Sequence, residues 1–298
     1  MTRLAEIESH IGNMVELREI VSAMRSLASM RVQEAQHVLP GIRSYAETMA
    51  TGIGTALSLM PEPRLTSGEA QGRRALVLCT AEHGFIGAFN EHMLDAAKAS
   101  IAAGDMLFIL GSRGAAAAEE RGWTTAWTHP MATRPPGVSE TIRALTARLY
   151  RGIEVGDVAQ VAVMFARHRQ TGGMTIEQRL LLPVDPASLV PADVAQAPLH
   201  NLSPGNLLEK LISDYVFALL TEAAVESLAS ENAARFAAMQ SAHDNVSKKV
   251  EELRQDARQA RQTEITTELL DLVTGVEAQK DGGTGKPRTW RIVRRERR

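Results

Sequence analysis

Apolar residues near the start of the chain recur at steps of three and four, the spacing of a helix that packs along one face. A three-residue step at Leu17 predicts a local overwinding of this coiled-coil pattern. Pro40-Gly41 predicts a kink or short break, because proline removes a backbone donor and clashes with the preceding turn. Helical pattern then resumes as far as about residue 59. The apolar positions of this N-terminal pattern are Leu4, Ile7, Ile11, Met14, Leu17, Val21, Met24 and Ala28.

The segment from about 73 to 195 has a different pattern, in which short apolar runs alternate with helical stretches. Runs of this length, bounded by glycine-containing turns, are typical of buried strands. Strand–helix–strand order predicts a parallel sheet flanked by helices, and a turn at Gly172-Gly173 adds a hairpin on one edge. The predicted strands lie at Ala75–Cys79, Met106–Leu110, about 158–167 and about 174–183.

The last segment reads as one very long helix. Ser203-Pro204 supplies an N-cap and a first helical residue, and no proline follows between 207 and 279. A helix of these 73 residues would span about 110 Å, whereas a compact chain of this length has a radius of gyration near 20 Å. Such a helix must protrude and pair with something, and the N-terminal helix is available. The two ends of the chain are therefore expected to form an antiparallel coiled coil that carries an α/β domain.

The net charge of −2 argues against a surface that generally coats nucleic acid or membrane, so we expect no nucleic-acid partner. The charge is uneven, because residues 280–298 hold eight basic and two acidic residues. Glycines at 282, 283 and 285 and Pro287 should end the helix, which predicts a flexible basic tail over 280–298.

The single cysteine, Cys79, excludes an intrachain disulfide and a zinc site built on several cysteines, and favours a reducing compartment. No apolar run approaches the roughly 18 residues of a membrane span, so no direct membrane insertion is expected. The N-terminus also lacks the apolar core of a signal peptide, which predicts a cytosolic location unless a partner carries the chain to a membrane.

Signals for catalysis are weak. The turn Glu82–Gly87 lies between a predicted strand and helix, a context that suits anion binding by backbone amides. It lacks the third glycine of a dinucleotide fingerprint and the Gly-Lys-Ser/Thr of a phosphate-binding loop. None of the eight histidines pairs with another at metal-ligand spacing, and no Gly-x-Ser-x-Gly elbow occurs. We therefore expect no catalytic residue, no cofactor and no metal.

Two C-terminal stretches carry a specific pattern: Ser227–Met239, and Ile265–Gly275, which reads Ile-Thr-x-Glu-x-x-Asp-x-x-x-Gly. The first is similar to the C-terminal helix of the gamma-subunit family of F-type ATP synthases. The second resembles the closing Ile-Thr-x-Glu-x-x-Glu/Asp-x-x-x-Gly-Ala pattern of that family, with Val276 in place of the final alanine. The resemblance covers about residues 1–279. Further matches are Ala23-Met24-Arg25, Ala35-Gln36, Tyr45–Met49, and the Gly84, Gly87 and Asn90 turn.

The resemblance implies an architecture and a function. Two long terminal helices would wind into a shaft around a Rossmann-like α/β domain, with domains at 1–60, 73–195 and 203–279 and the tail at 280–298. The shaft would be a non-catalytic central rotor in the bore of an alpha/beta hexamer, and its α/β end would contact the epsilon subunit and the membrane c-ring. The complex would lie on the cytoplasmic face of a bacterial inner membrane. By position, the partner-contact residues carried over are Met24, Arg25, Arg235, Gln262, Thr266 and Glu268.

Several features depart from the family pattern. The family's Asn-Thr is Glu16-Leu17 here, Pro198–Asn201 replaces an aromatic-acidic loop that faces the c-ring, and the basic tail has no usual counterpart. Two alternatives stay open. A coiled-coil scaffold without a motor would explain the long helices, although not the Ile265–Gly275 pattern. A small α/β enzyme that uses the Glu82–Gly87 loop would leave the C-terminal helix unexplained.

Overall fold

The computed structural model describes residues 3–60, 72–169, 173–184, 189 and 199–282, with side chains as far as residue 277. The basic tail predicted at 280–298 lies outside these residues, apart from the end of the last helix. Five helices and five strands are formed within the described ranges. They are α1 (Arg3–Ser58), β1 (Arg73–Cys79), α2 (Phe89–Ser100), β2 (Met106–Leu110), α3 (Ser112–Glu120), β3 (Trp127–His129), α4 (Pro135–Glu154), β4 (Val158–His168), β5 (Met174–Leu182) and α5 (Pro204–Gly282).

The five strands form one sheet in the order β3-β2-β1-β4-β5. β1 to β4 run parallel, and β5 pairs antiparallel with β4, so the predicted sheet and edge hairpin are confirmed. Sequence analysis missed β3, which has only three residues. A strand this short shows no periodicity and forms because it pairs with β2, where Trp127 packs on Phe108 with ring centroids 6.1 Å apart.

The two faces of the sheet bury different helices. Alternate residues of β1 point to opposite sides, as the two-residue period of a strand requires. Ala75, Val77 and Cys79 face a core built with α4, α5 and α1, whereas Leu76 and Leu78 face α2 and α3. Every side chain from Val216 to Asn232 is buried or nearly so, because α5 has the sheet on one side and α1 on the other.

Two compact units divide the chain, residues 21–242 in one and residues 1–20 with 243–298 in the other. In the larger unit, α1 and α5 are antiparallel: Arg25 bonds Gln240 at 2.9 Å, and Arg43 bonds Glu222 at 3.0 Å. In the smaller unit the two helices are again antiparallel neighbours, where Arg261 bonds Glu8 at 2.8 Å. The α/β class with paired terminal helices is thereby confirmed, whereas the four predicted domain boundaries stay a prediction.

Two expectations about α1 differ from the structure. The helix continues through Pro40, so the expected break is absent, because Leu39 and Ala46 on either side are buried against the core and offset the lost backbone bond. The alternative, a kink at Pro40, stays a prediction. The overwound step at Leu17 is also absent from the burial pattern. Leu17 is 41% exposed and Arg18 is half-buried. The regular alternation of three- and four-residue steps between less exposed positions therefore continues through Arg18, which the sequence analysis left out because it considered only apolar residues.

Close packing between β1 and α3 makes Gly114 a sensitive position. A Cβ added there would lie 1.9 Å from Thr80 Oγ1, whose hydroxyl is buried and donates to the Leu110 carbonyl at 2.6 Å. Gly114→Ala should therefore cost the upper end of the ~1–3 kcal/mol range for overpacked cores. Thermal unfolding of the full chain measures this cost. Gly12→Ala is the control, because nothing lies within 4 Å of its added Cβ, and an equal melting temperature for both variants would contradict the prediction.

Candidate partner-contact site

Glu82, the carboxylate of the alternative enzyme site, is used to hold the fold together. Its oxygens accept bonds from the Ser112 backbone N–H at 2.9 Å, the Ser112 hydroxyl at 2.8 Å and the Met131 N–H at 2.8 Å. Burial alone would raise the pKa of Glu82, but these hydrogen bonds outweigh it and hold the pKa below its usual value. The carboxylate therefore stays ionised and fastens the start of α3 and the segment before α4.

The place where a doubly wound sheet would bind a ligand is filled by α5. Such ligands lie at the carboxyl ends of strands where the strand order reverses, which here is between β1 and β4. The Ser227 hydroxyl donates to the Cys79 carbonyl at 2.6 Å, and the Ser230 hydroxyl donates to the Ala166 carbonyl at 3.0 Å. Because α5 seals the ends of both strands, this arrangement disfavours the small-enzyme alternative.

Other chemistry is scarce in the described part of the chain. No group of three or more His, Cys, Asp or Glu side chains among the described residues could hold a metal ion. Burial raises the pKa of the Cys79 thiol to about 12, so it stays neutral and packs as a core residue. A search of the described helices also finds none with the length and apolar character needed to cross a bilayer.

Arg235 is buried, with only 8% of its side chain exposed, and it is not part of a solvated face. Its guanidinium donates to Glu231 Oε1 at 2.6 Å and to Asn232 Oδ1 at 2.8 Å. It also reaches the turn Glu82–Gly87, with bonds of 3.3 Å to the Gly84 carbonyl and 3.5 Å to the His83 carbonyl. One side chain thus fastens that turn to α5.

Met24 and Arg235, separated widely in sequence, line the same cavity of about 350 Å³. Its rim carries Phe85, which is 68% exposed and adopts the left-handed backbone region at φ 60°, a conformation rare for an aromatic residue. Arg31 also lines the cavity, and its buried Nε has no hydrogen-bond partner among the described residues. The Arg31 guanidinium beside an apolar wall suits a carboxylate carried by a partly apolar segment, whereas the Arg235 guanidinium is occupied by its internal partners.

The remaining predicted contact residues occupy different settings. Arg25 bonds Gln240 and is half-buried. Gln262, Thr266 and Glu268 are all exposed in the smaller unit, and the Thr266 hydroxyl donates to the Gln262 carbonyl one turn back at 2.8 Å. Glu268 borders a shallow groove of about 600 Å³ that Arg3 and Leu4 also line.

Large apolar side chains on the last turns of α5 are exposed. Helical spacing puts most of them on the face that holds Gln262 and Thr266. We call this face the apolar stripe; its members are Ile265, Leu269, Leu272, Val273 and Val276, each between 51% and 66% exposed. Contiguous exposed apolar side chains of this kind mark surfaces that a partner covers.

Sequence reasoning missed Arg31, Phe85 and the stripe. The stripe had a visible signal in the sequence, because apolar residues recur at 265, 269, 272 and 276, the spacing of one helix face. Arg31 and Phe85 gave no signal, since only the fold brings the turn Glu82–Gly87 against α1.

The sequence matches the family described as ATP synthase over residues 3–279. It is 27% identical to the ATP synthase gamma chain of Saccharopolyspora erythraea, covering 95% of this chain and all of the relative. It is 29% identical to the gamma chain of Methylobacterium nodulans, covering 93% of this chain and all of that relative.

Solved structures share the fold. A chain of the Euglena gracilis mitochondrial ATP synthase, in an assembly of OSCP, F1 and c-ring, superposes with a TM-score of 0.62 at 13% identity and covers 97% of this chain and 99% of its own length. A chain of the Tetrahymena thermophila central stalk and c-ring gives a TM-score of 0.55 at 17% identity, covering 75% and 99%. The chain therefore belongs to the ATP synthase family, and the relatives that it matches along its length are the gamma chains of that enzyme.

Proposed function

We propose that this chain is the central rotor shaft of an F-type ATP synthase, which couples ion flow through a membrane ring to ATP synthesis or hydrolysis in an alpha/beta hexamer. The observation that carries the proposal is the apolar stripe, together with the family membership. A chain that worked alone would gain stability by burying these side chains within itself. In a shaft enclosed by a hexamer, the surrounding subunits would cover them instead. Residues of this stripe are more than half exposed.

The shaft acts by presenting different faces to its surroundings as it turns. On the last turns of α5, one face is apolar and the other carries acidic side chains such as Glu264, Glu268 and Asp271. A subunit that meets these faces in turn experiences different contact free energies, and only such differences can shift its equilibrium between open and closed nucleotide states. The chain thus needs no catalytic group of its own, and we propose that it is a non-catalytic subunit.

The proposed contacts fall in two zones. The cavity lined by Met24 and Arg235, and Arg25 as the next residue of α1, would meet a beta subunit, and the Arg31 guanidinium in the cavity favours an acidic segment. Gln262, Thr266 and Glu268 would meet the hexamer further along α5. The α/β part would contact the epsilon subunit and the c-ring; the titles of the neighbouring structures name a c-ring in those assemblies. The complex would sit peripherally on the cytoplasmic face of a bacterial inner membrane.

The purified chain alone is expected to hydrolyse no ATP, because α5 fills the end of the sheet and Glu82 is occupied by three hydrogen bonds. A phosphate-release assay on the isolated chain measures this. Turnover that disappears in Glu82→Gln would instead support the small-enzyme alternative. Glu34→Gln is the control for that variant, because Glu34 is a carboxylate outside the turn, and among the described bonds it pairs with Arg134 and not with Glu82 or its partners.

Affinity purification of the chain from its own cells decides between the rotor and the scaffold. The rotor proposal expects an ATP-hydrolysing hexamer and a membrane ring to co-purify in fixed proportion. A scaffold without a motor would bring down other proteins and no nucleotide-hydrolysing activity. Absence of the hexamer under conditions that preserve membrane complexes would exclude the proposal.

A further inference from the structure

A cluster of charges built around two buried carboxylates joins three parts of the larger unit. Glu222 and Glu226 lie one turn apart on α5, with 7% and 5% of their side chains exposed. Arg43 comes from α1, Arg167 from β4 and Arg179 from β5. We call these five residues the charge cluster.

Each arginine of the charge cluster contacts at least one of the two carboxylates. Arg43 Nε donates to Glu222 Oε1 at 3.0 Å, and its Nη2 donates to Glu226 Oε1. Arg179 Nη1 donates to the other oxygen of Glu222 at 2.8 Å, and Arg167 Nε lies 3.4 Å from Glu226 Oε1. Glu222 is therefore shared between a helix on one side of α5 and an edge strand on the other.

The two strand arginines are also held in orientation. Both guanidinium groups lie 5.6 Å from the centre of the fully buried Phe165 ring, a cation–π arrangement. Glu177 bonds Arg167 Nη1 at 2.9 Å. Burial alone would raise the pKa of Glu222, but the hydrogen bonds and charges of Arg179 and Arg43 outweigh it and hold the pKa below its usual value. Glu222 is thus a firmly ionised hub with fixed partners.

Apolar packing and ion pairs resist different movements. The apolar core around α5 stabilises by area removed from water and has no preferred direction, so it resists separation more than rotation or sliding. A guanidinium fork is planar and directional, so it fixes both the angle and the height of the side chain that it holds. In the charge cluster, Arg43 spreads such a fork over Glu222 and Glu226 from the α1 side. Arg179 and Arg167 contact the same two carboxylates from the β4–β5 side.

We propose that the charge cluster is the torque-bearing joint between the helix pair and the sheet, which fixes the rotational register of α5 against α1 and the β4–β5 hairpin. This inference rests on the proposed rotor function. Torque received by the helices must reach the α/β part without slippage. If the joint is loosened, the helices still turn, but the α/β part follows their rotation incompletely.

The test uses the whole complex carrying Glu222→Gln, purified and reconstituted in lipid vesicles. ATP hydrolysis and ATP-driven ion transport are measured on the same vesicles. ATP hydrolysis should stay close to that of the parent. The number of ions moved per ATP hydrolysed should fall by about fivefold or more, because the coupling between two sites in a protein is typically worth at least about that factor. Glu222→Asp, which keeps the charge, should recover part of the ratio.

Arg134→Gln is the matched control. Arg134 also bonds a residue of α1, Glu34, at 2.9 Å, but Arg134 is 59% exposed and the pair lies outside the charge cluster. It should leave hydrolysis, transport and their ratio unchanged. If Glu222→Gln does not assemble, Arg43→Gln replaces it, because that side chain is 45% exposed and only the α1 limb of the joint is lost.

Three results would overturn the joint: an unchanged ratio in an assembled variant, a parallel fall of hydrolysis and transport, or failure of both variants to assemble. The last two assign the cluster a purely structural role. Failure of the rotor proposal itself is distinguishable, because the parent chain would then not co-purify with a hydrolysing hexamer.

Discussion

Arg235→Ala is expected to lower the free energy of unfolding by about 3–5 kcal/mol, the cost of leaving one member of a buried ion pair without its partner. Glu231 would remain with 5% of its side chain exposed and no cation at 2.6 Å. The carbonyls of His83 and Gly84 would lose their donor at the same time, which weakens the attachment of the turn Glu82–Gly87 to α5. Thermal or denaturant unfolding of the full chain measures the loss.

The loss should also depend on pH. Burial already holds the pKa of Glu231 above its ordinary value of 4.5, and removal of Arg235 takes away the main opposing influence. An acid whose folded-state pKa is raised favours the folded state only while it is protonated, so the deficit should be smallest below about pH 4.5 and grow as the pH rises through the raised pKa. Arg235→Lys, which keeps the charge, should lose less, and a deficit that is the same at every pH would contradict this account.

Leu272→Asp is expected to lower the coupled activity of the complex strongly while it leaves the isolated chain as stable as the parent. Leu272 is 66% exposed in the chain alone, so a polar replacement there removes little burial. Where partner subunits cover Leu272, the same change removes about 1.5–3 kcal/mol of apolar burial and adds the cost of desolvating a carboxylate. Activity should therefore fall by at least about tenfold, since each 1.4 kcal/mol is a factor of ten. ATP synthesis by vesicles, assembly and chain melting temperature are the three readouts.

Thr274→Ala is the control for the apolar stripe, because Thr274 is exposed and helical spacing puts it on neither the stripe nor the acidic face of α5. It should leave assembly and synthesis near the parent values. Normal ATP synthesis in Leu272→Asp would show that the stripe faces solvent in the complex, and would remove the main support for the proposal that the hexamer encloses the shaft at this stripe. A lowered melting temperature of the isolated chain would mean that Leu272 is buried within the chain itself.

Arg235 shows where sequence reasoning needed the structure. From the sequence, Arg235 and Glu268 lie on one helix that turns against a beta subunit, so a double alanine variant should lower ATP synthesis more than assembly. The structure separates the two residues, because Arg235 is buried with internal partners whereas Glu268 is exposed. Glu268→Ala alone is therefore the cleaner test of a contact, and Arg235→Ala measures mainly stability.

The sequence by itself determined the elements whose signals are local and long. Apolar periodicity gave both terminal helices, and apolar runs gave β1, β2, β4 and β5, because these patterns repeat over enough residues to outweigh any single exception. The length of α5 alone required a partner, and the N-terminal helix was the one available. The closing Ile265–Gly275 pattern also identified the family that the comparison then confirmed.

Tertiary structure decided which charges are buried and what they hold. Glu222, Glu226 and Arg235 have the composition of a solvated helix face, yet all three are buried, because their partners come from α1, from the β4–β5 hairpin and from the turn after β1. The same holds for the uninterrupted passage of α1 through Pro40 and for the three-residue β3. In each case the stabilising contacts join residues far apart in sequence, and a pattern read over neighbouring residues contains no information about them.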